Sequence, residues 1–406
     1  MATRRARSER GLPGPAAVLV AVLLTPGAIP PTVGRAEAQA RPAAAARAQT
    51  PAGGGIVLEK GGQIFPFVHT NAVGLGDVDR DGDVDMVFAN MQANDSRVWL
   101  SDGAGRFADS RQALTQQGHG MAVADLDGDG DLDVFIPCAS AGDHPMPSRI
   151  YLNDGTGRLG DSGQDLGDGQ LSGNAVRVFD ADGDRDLDAL VVYYQEPDRL
   201  YLNDGHGRFA YSGRDLPEGA NPADLDGDGD LDLFVWLEGV GYRTLLNDGR
   251  GTFREHWSRA DTTVRRGIVA LGDVDGDRDH DAVVAVGDMQ IGQPTRVLLN
   301  DGTGRFSDSG QPLPAARAGR VVLGDLDGDG DLDLVLTSLG SPFRVFLNDG
   351  RGRFTDSGFE AAGNASPFGP VLGDLDGDGD LDLVIAGFVA GPVEIWWNRR
   401  VERAAR

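Results

Sequence analysis

One nine-residue pattern with Asp at every second position, D-x-D-x-D-x-D-x-D, occurs seven times in the 406 residues of this chain and limits its folds more than any other feature. The copies begin at Asp77, Asp125, Asp180, Asp224, Asp273, Asp325 and Asp374, at intervals of 48, 55, 44, 49, 52 and 49 residues. Self-similarity at such a period marks a repeat architecture, in which one supersecondary unit stacks on the next. A short apolar approach precedes each copy (GMAVADLD, RVVLGDLD), and a β-rich run follows it: DMVFAN, DVFIPC, DALVVYY, DLFVWL, DAVVAVG, DLVLTS and DLVIAG. Runs of this kind bounded by Asp and Gly predict two strands, A and B, joined by a tight loop.

A second motif lies between successive loops: RVWLSDGAGRF from Arg97, RIYLNDGTGRL from Arg149, RLYLNDGHGRF from Arg199, RTLLNDGRGTF from Arg243, RVLLNDGTGRF from Arg296 and RVFLNDGRGRF from Arg344. An apolar strand, an Asn-Asp-Gly turn and a return at an aromatic predict a hairpin of strands C and D. The seventh unit stops at EIWWN, Asn398, with eight residues left, too few for a D strand. Gly61 to Phe67 (GGQIFPF) resembles the start of the missing strand, and pairing it with the last unit would close a ring and remove open strand edges. The expected fold is therefore all-β: a seven-bladed β-propeller of four-stranded blades over residues 56–399, closed by an N-terminal strand that completes the last blade. An open solenoid of hairpins is the alternative, but it would need terminal caps and would not split one unit between the chain's two ends.

Five carboxylates within nine residues repel one another, and a hard divalent cation relieves that repulsion. Calcium takes about six to eight oxygen ligands in flexible geometry, whereas magnesium keeps its waters and demands a strict octahedron. Up to seven Ca2+ ions are expected. Their ligands would come from Asp77, Asp79, Asp81, Asp83 and Asp85; Asp125, Asp127, Asp129, Asp131 and Asp133; Asp180, Asp182, Asp184, Asp186 and Asp188; and Asp224, Asp226, Asp228, Asp230 and Asp232. The remaining loops offer Asp273, Asp275, Asp277, Asp279 and Asp281; Asp325, Asp327, Asp329, Asp331 and Asp333; and Asp374, Asp376, Asp378, Asp380 and Asp382. In the first loop the expected donors are the side chains of Asp77, Asp79, Asp81 and Asp85 and the backbone carbonyl of Asp83. Position 12 is Phe88 in the first loop and Ile136 in the second, where an EF-hand places a bidentate Glu, so these are not EF-hands. Position 6 is Gly in five loops but Arg185 in the third and Arg278 in the fifth, and weaker binding is expected there because non-Gly residues resist positive φ. Saturated oxygen cages leave no open position for a substrate, so the expected role of the metal is structural.

The loops also explain the charge. The chain carries a formal net charge of −26 and has 53 Asp against 10 Glu; the seven loops hold 35 of those Asp, and without these 35 carboxylates the chain would stand at +9. Seven bound Ca2+ would bring the whole to −12. An acidic balance excludes nucleic acid as a partner, since phosphate backbones are bound by clustered Lys and Arg. The single cysteine, Cys138, excludes an internal disulfide framework and a Cys-based zinc site. At the N-terminus Arg4, Arg5, Arg7 and Arg10 precede an apolar run from Pro15 to Leu24 and the small residues Ala36, Ala38 and Ala40, the order of a secretory signal. Residues 1–40 are read as a signal peptide, 41–55 as a flexible Ala/Pro/Gly-rich linker and 400–406 as a tail. No other apolar stretch approaches the roughly 18–20 residues that span a bilayer. The expected mature protein is a monomer, secreted or otherwise outside the cytoplasm, in the periplasm or at a cell surface.

The D-x-D-G-D-x-D loops and L-N-D-G-x-G-R-F hairpins resemble the FG-GAP or VCBS repeat family, calcium-loop propellers related to the head of integrin α-subunits, across about residues 56–399. The resemblance implies Asp loops on the A–B hairpins of one face and ligands at the opposite face. There the B–C segments, such as Cys138 to Ser148 and Gly287 to Thr295, differ between copies. The D–A connection around Glu255, His256 and Trp257 would add an exposed aromatic. The leading expectation is a non-enzymatic binding or adhesion module for an extracellular protein or polysaccharide. His69, His119, His144, His206, His256 and His280 are scattered without metal-ligand spacing, and G-x-S-x-G and H-E-x-x-H are absent. The alternatives are a calcium-dependent polysaccharide lyase or other glycan-active enzyme, which needs acid–base groups converging at the central channel, and a lectin, which predicts near-identical B–C loops. Trp99, Tyr151, Tyr201, Phe346 and Trp396 recur at one C-strand position and are assigned to packing between blades.

Overall fold

The computed structural model describes residues 56–66, 70–90, 95–114, 118–137, 147–167, 172–193, 196–263, 267–287, 290–317, 319–361, 367–387 and 391–399. The signal peptide, the linker, the tail, Cys138, His69 and His144 lie outside the described residues. Seven antiparallel four-stranded sheets form the blades of a β-propeller, with no helix among the described residues. In blade 1 the strands are Thr70–Gly76 (A), Asp85–Asn90 (B), Ser96–Ser101 (C) and Phe107–Leu114 (D). The A strands of successive blades neighbour one another in a closed ring, the last of them, Pro367–Gly373, returning to Thr70–Gly76.

Local sequence follows depth in the blade. B strands such as Asp85–Asn90 and Asp382–Gly387 are buried at every position, which is why they read as uninterrupted apolar runs. Outer D strands such as Phe107–Leu114 and Phe209–Leu216 bury their two ends and expose much of what lies between. The apolar clusters sit between adjacent blades: one joins Val87 and Val98 of blade 1 to Met121 and Val134 of blade 2, another joins Phe135 of blade 2 to Tyr193 and Tyr201 of blade 3. Trp99, Tyr151, Tyr201, Phe346 and Trp396 are buried in these wedges, as their recurrence at one strand position suggested. Trp257 departs from expectation. It lies within the D strand Arg254–Ala260 of blade 4, not in a connection, and is partly buried with its ring 5.7 Å from that of Phe306 in blade 5.

Ring closure occurs as predicted in kind but three residues earlier. Leu58–Lys60 pairs with Glu394–Asn398, with Leu58 opposite Asn398 and Lys60 opposite Trp396. The register explains the shift: in the other blades the D strand opens with Phe107 opposite Ser101, Phe209 opposite Asn203 and Phe354 opposite Asn348, and Leu58 occupies that place in blade 7. Gln63 and Phe65 of the GGQIFPF segment reach blade 1 instead. Gln63 donates from Nε2 to the Phe107 carbonyl (2.7 Å) and accepts the Phe107 N–H (3.1 Å), while Phe65 is buried against Phe88 and Trp99. Gln112, Gln164 and Gln311 clamp the next blade in the same way, so Gln63 makes the closing seam resemble the others. Lys60, the only lysine of the chain, meets the buried Glu394 at 2.7 Å and holds the closing strand in register.

The Asn that ends each C strand joins blade to blade. Asn153, Asn203, Asn247, Asn300, Asn348 and Asn398 donate from Nδ2 to the position-2 carbonyl of the preceding Asp loop (Val78, Leu126, Ala181, Leu225, Val274 and Leu326), at 2.7 to 2.8 Å. The same Nδ2 reaches the position-8 carbonyl of its own loop at 3.0 to 3.3 Å. Blade 1 has Ser101 at this place, whose hydroxyl is too short for either bond.

Candidate metal centres

Each Asp loop folds by bonding its carboxylates to its own backbone, and three of these bonds recur in all seven copies. The position-1 Asp accepts the N–H of position 6 through Oδ2 at 2.9 to 3.2 Å, as Asp77 does from Gly82 and Asp273 from Arg278. The position-5 Asp accepts the N–H of position 7. The position-9 Asp (Asp85, Asp133, Asp188, Asp232, Asp281, Asp333 or Asp382) is fully buried; its Oδ2 takes the N–H of position 2, and its Oδ1 takes the N–H that ends the C strand. One carboxylate thus joins strands A, B and C of its blade. The position-7 carboxylates, Asp83 to Asp331, pack over the first Gly of the C–D turn of their own blade, Gly103 to Gly350, which places turn and loop on one face.

Carboxylate oxygens of positions 1, 3 and 9 converge within 4.8 Å of one another in Asp77/Asp79/Asp85, Asp125/Asp127/Asp133, Asp180/Asp182/Asp188, Asp224/Asp226/Asp232 and Asp273/Asp275/Asp281, with two further groups, so that every blade has a cluster able to hold a metal ion. The triads consist of positions 1, 3 and 9, with the side chains of positions 5 and 7 outside them; Asp81, also expected as a ligand, accepts the Asp83 N–H through Oδ1. The residues present fit a hard cation. The donor set is all oxygen, and the Oδ1 atoms of Asp79, Asp182, Asp275 and Asp376 are buried without a hydrogen-bond partner, an arrangement that is costly unless something positive meets it. Electrostatics agree. Burial pushes the position-9 carboxyls up, to about 6 at Asp85 and Asp232 and about 7 at Asp133, Asp188, Asp281, Asp333 and Asp382. Burial first, and then the charge of the position-5 Asp, raises Asp79, Asp127, Asp182, Asp226, Asp275 and Asp327. These loops hold anionic oxygens close together against their own repulsion.

Two backbone positions per loop are left-handed, where the sequence pattern singled out one. Position 6 has φ 77 at Arg185 and φ 79 at Arg278, beside φ 87 to 97 at the five glycines. Both Arg loops keep the position-1 hydrogen bond, so their strain does not unmake the loop. Position 4 is also left-handed: Gly in six loops, but Arg80 with φ 60 in the first. There the Asp77 Oδ1 atom takes the Asp81 N–H in place of the position-4 N–H used by the other six loops. The Arg80 guanidinium meets Asp131 of the second loop, and Arg399 meets Asp376 (2.5 Å) and Asp378 (3.3 Å) of the seventh. Repetition could have revealed position 4 in the sequence, since Arg80 is its one departure from Gly.

Much of the opposite face, including residues 91–94, 138–146 and 388–390 of the B–C segments, lies outside the described residues. Of the histidines, His206 and His256 are exposed, His280 bonds to the Asp224 carbonyl (3.1 Å), and burial pushes the His119 imidazole down to about 4.

A family model described as FG-GAP-like repeat matches residues 77–136, 182–235, 224–284, 273–336 and 325–385. Among solved structures the chain is similar to an Agrocybe aegerita lectin with specific recognition of non-reducing terminal N-acetylglucosamine (20% identity, 73% of this chain and 81% of that one, TM-score 0.49). It is also similar to BBS1N, solved in complex with ARL6DN (12% identity, 83% of this chain and 94% of that one, TM-score 0.54), a likeness of fold alone. No curated protein matches the chain.

Proposed function

Because the chain belongs to the FG-GAP-like repeat family, we propose that its Asp loops bind calcium and that the stapled propeller acts outside the cytoplasm as a non-enzymatic module, binding a protein or polysaccharide at the face opposite the loops. The observation that carries the reading is the recurrence in every blade of one carboxylate cluster, with a buried Oδ1 left without a partner in four of them. Carboxylate oxygens suit a hard cation, and crowded carboxylates suit calcium, with its flexible coordination, better than magnesium, which keeps its waters and demands an octahedron. The position-1, position-3 and position-9 carboxylates would hold the ion, which would neutralise the loop and tie the end of strand A to the start of strand B. At about ten times its Kd, each ion adds roughly 1.4 kcal/mol by linkage, and seven add roughly 10 kcal/mol, comparable with the whole stability of an ordinary domain.

The binding role is supported by a rigid scaffold whose connections vary on one face, the usual place for recognition residues. Export is supported by the basic, apolar and small-residue order of the first 40 residues. Thermal melting of the full chain tests the metal: Tm is expected to rise with added calcium, to fall with a chelator and to respond less to magnesium. A Tm indifferent to all three overturns it. Incubation with acidic and neutral polysaccharides tests the rest, since calcium-dependent retention without product is expected and depolymerisation would overturn the non-enzymatic reading.

A further inference from the structure

The ring of A strands encloses a cavity of about 410 Å3, inside the roughly 300–1,000 Å3 range of small-molecule sites. Its walls come from the A strands of blades 3 to 7, with Leu231 and Leu381 of two Asp loops at one end. All the lining side chains are apolar except Arg177 and Asn221. Arg177 stands three residues before its Asp loop, where the other blades carry Gly74, Ala122, Asn221, Ala270, Val322 and Val371, so no feature of the repeat calls for a cation there.

Arg177 is 6% exposed and buried between two hollows, the main cavity and a smaller one beside Glu218 and Trp236. Its Nη2 donates to Asn221 Oδ1 at 2.9 Å, while Nε and Nη1 have no partner. Among the described residues no carboxylate pairs with it directly. Asp198, the acid whose charge acts on it, is itself buried and accepts the N–H groups of Gly219 and Ala220. Burial lowers the guanidinium to about 10, which leaves it a cation at neutral pH. Buried charges are ordinarily paired, because an isolated one costs several kcal/mol. Here a cation with two unused donors borders an apolar hollow.

We propose that this cavity binds a small amphipathic carboxylate, its head on Arg177 and Asn221 and its hydrocarbon body against the walls of the channel. One buried cation balances a monoanion. A phosphate dianion would leave excess negative charge buried, and a neutral apolar molecule would leave the Arg177 donors unmet. The apolar remainder of the lining supplies affinity by area and selects for a hydrocarbon body.

Octanoate and 1-octanol, which share a chain and differ in the head, are the probes, titrated calorimetrically into the full chain in calcium buffer. Octanoate is expected to bind at least about tenfold more tightly, the worth of one hydrogen bond to a charged group. Arg177→Met is expected to bring the two affinities together, and Ala270→Phe, which puts an aromatic ring into the cavity and keeps Arg177, to weaken both. Equal affinities in the unaltered protein, no octanoate binding at millimolar concentration, or unchanged octanoate affinity in either variant overturns the proposal. The comparison of acid with alcohol requires no variant, so it stands if a substitution prevents folding.

Discussion

Replacing Asn203 by Ala removes one side-chain nitrogen that serves two blades. Its Nδ2 donates to the Leu126 carbonyl of blade 2 at 2.8 Å and to the Leu187 carbonyl of its own loop at 3.1 Å, and the residue is 8% exposed. Each buried carbonyl deprived of its donor costs about 1–3 kcal/mol, so the substitution is expected to cost about 2–4 kcal/mol once some water enters. The backbone N–H of Asn203 continues to reach Asp188, so the metal cluster keeps its geometry. Guanidinium unfolding in saturating calcium, repeated in chelator, gives the result as a shift of midpoint at constant slope. The same loss is expected in both solutions, because the bond lies between blades and not at the ion. A loss under about 0.5 kcal/mol, or one that appears only with calcium, would refute the role assigned to this side chain. The converse change is available in the same molecule: Ser101→Asn supplies the missing donor at the closing seam and is expected to add about 0.5–1.5 kcal/mol.

Arg185→Gly and Arg278→Gly relieve left-handed backbone at φ 77 and 79 and are each expected to stabilise the chain by about 1 kcal/mol, read as a rise in unfolding midpoint; a fall would show that these Arg side chains hold their loops. Asp198→Asn tests a buried acid whose pKa burial pushes up to about 8. With the folded value above the unfolded one, the contribution of Asp198 is full below about pH 4 and is lost as pH rises through about 8. The stability difference between variant and parent should therefore move in favour of the variant across pH 4 to 8 and level off above it, and a pH-independent difference would refute the shift.

The repeat period, the strand and loop chemistry and the split last unit were sufficient to derive seven blades and their closure, because each is a local pattern written several times over. The Asp loops were likewise recognisable, since five carboxylates in nine residues need a common reason. Leu58 escaped notice because it lacks the aromatic that opens most of the other D strands, and GGQIFPF attracted attention because it has one. Lys60 and Gln63 belong to no repeated motif, and their roles come from Glu394 and Phe107, which are distant in sequence and stand beside them in the fold. Arg residues of the C strands find their partners on the D strands, as Arg243 does in Glu255 and Arg149 in Asp161.

Sequence by itself determined the architecture, since periodicity, turn residues and apolar runs are set by short-range sterics and burial that every copy repeats. The tertiary structure alone decided which carboxylates converge, which Asn joins which blade and why Arg177 stands unpaired at the wall of a cavity. The Asn and Arg177 contacts depend on residues about 45 to 75 positions apart meeting in space, which no local pattern encodes, whereas each carboxylate triad forms within nine residues once the loop's backbone has turned positions 1, 3 and 9 toward one another.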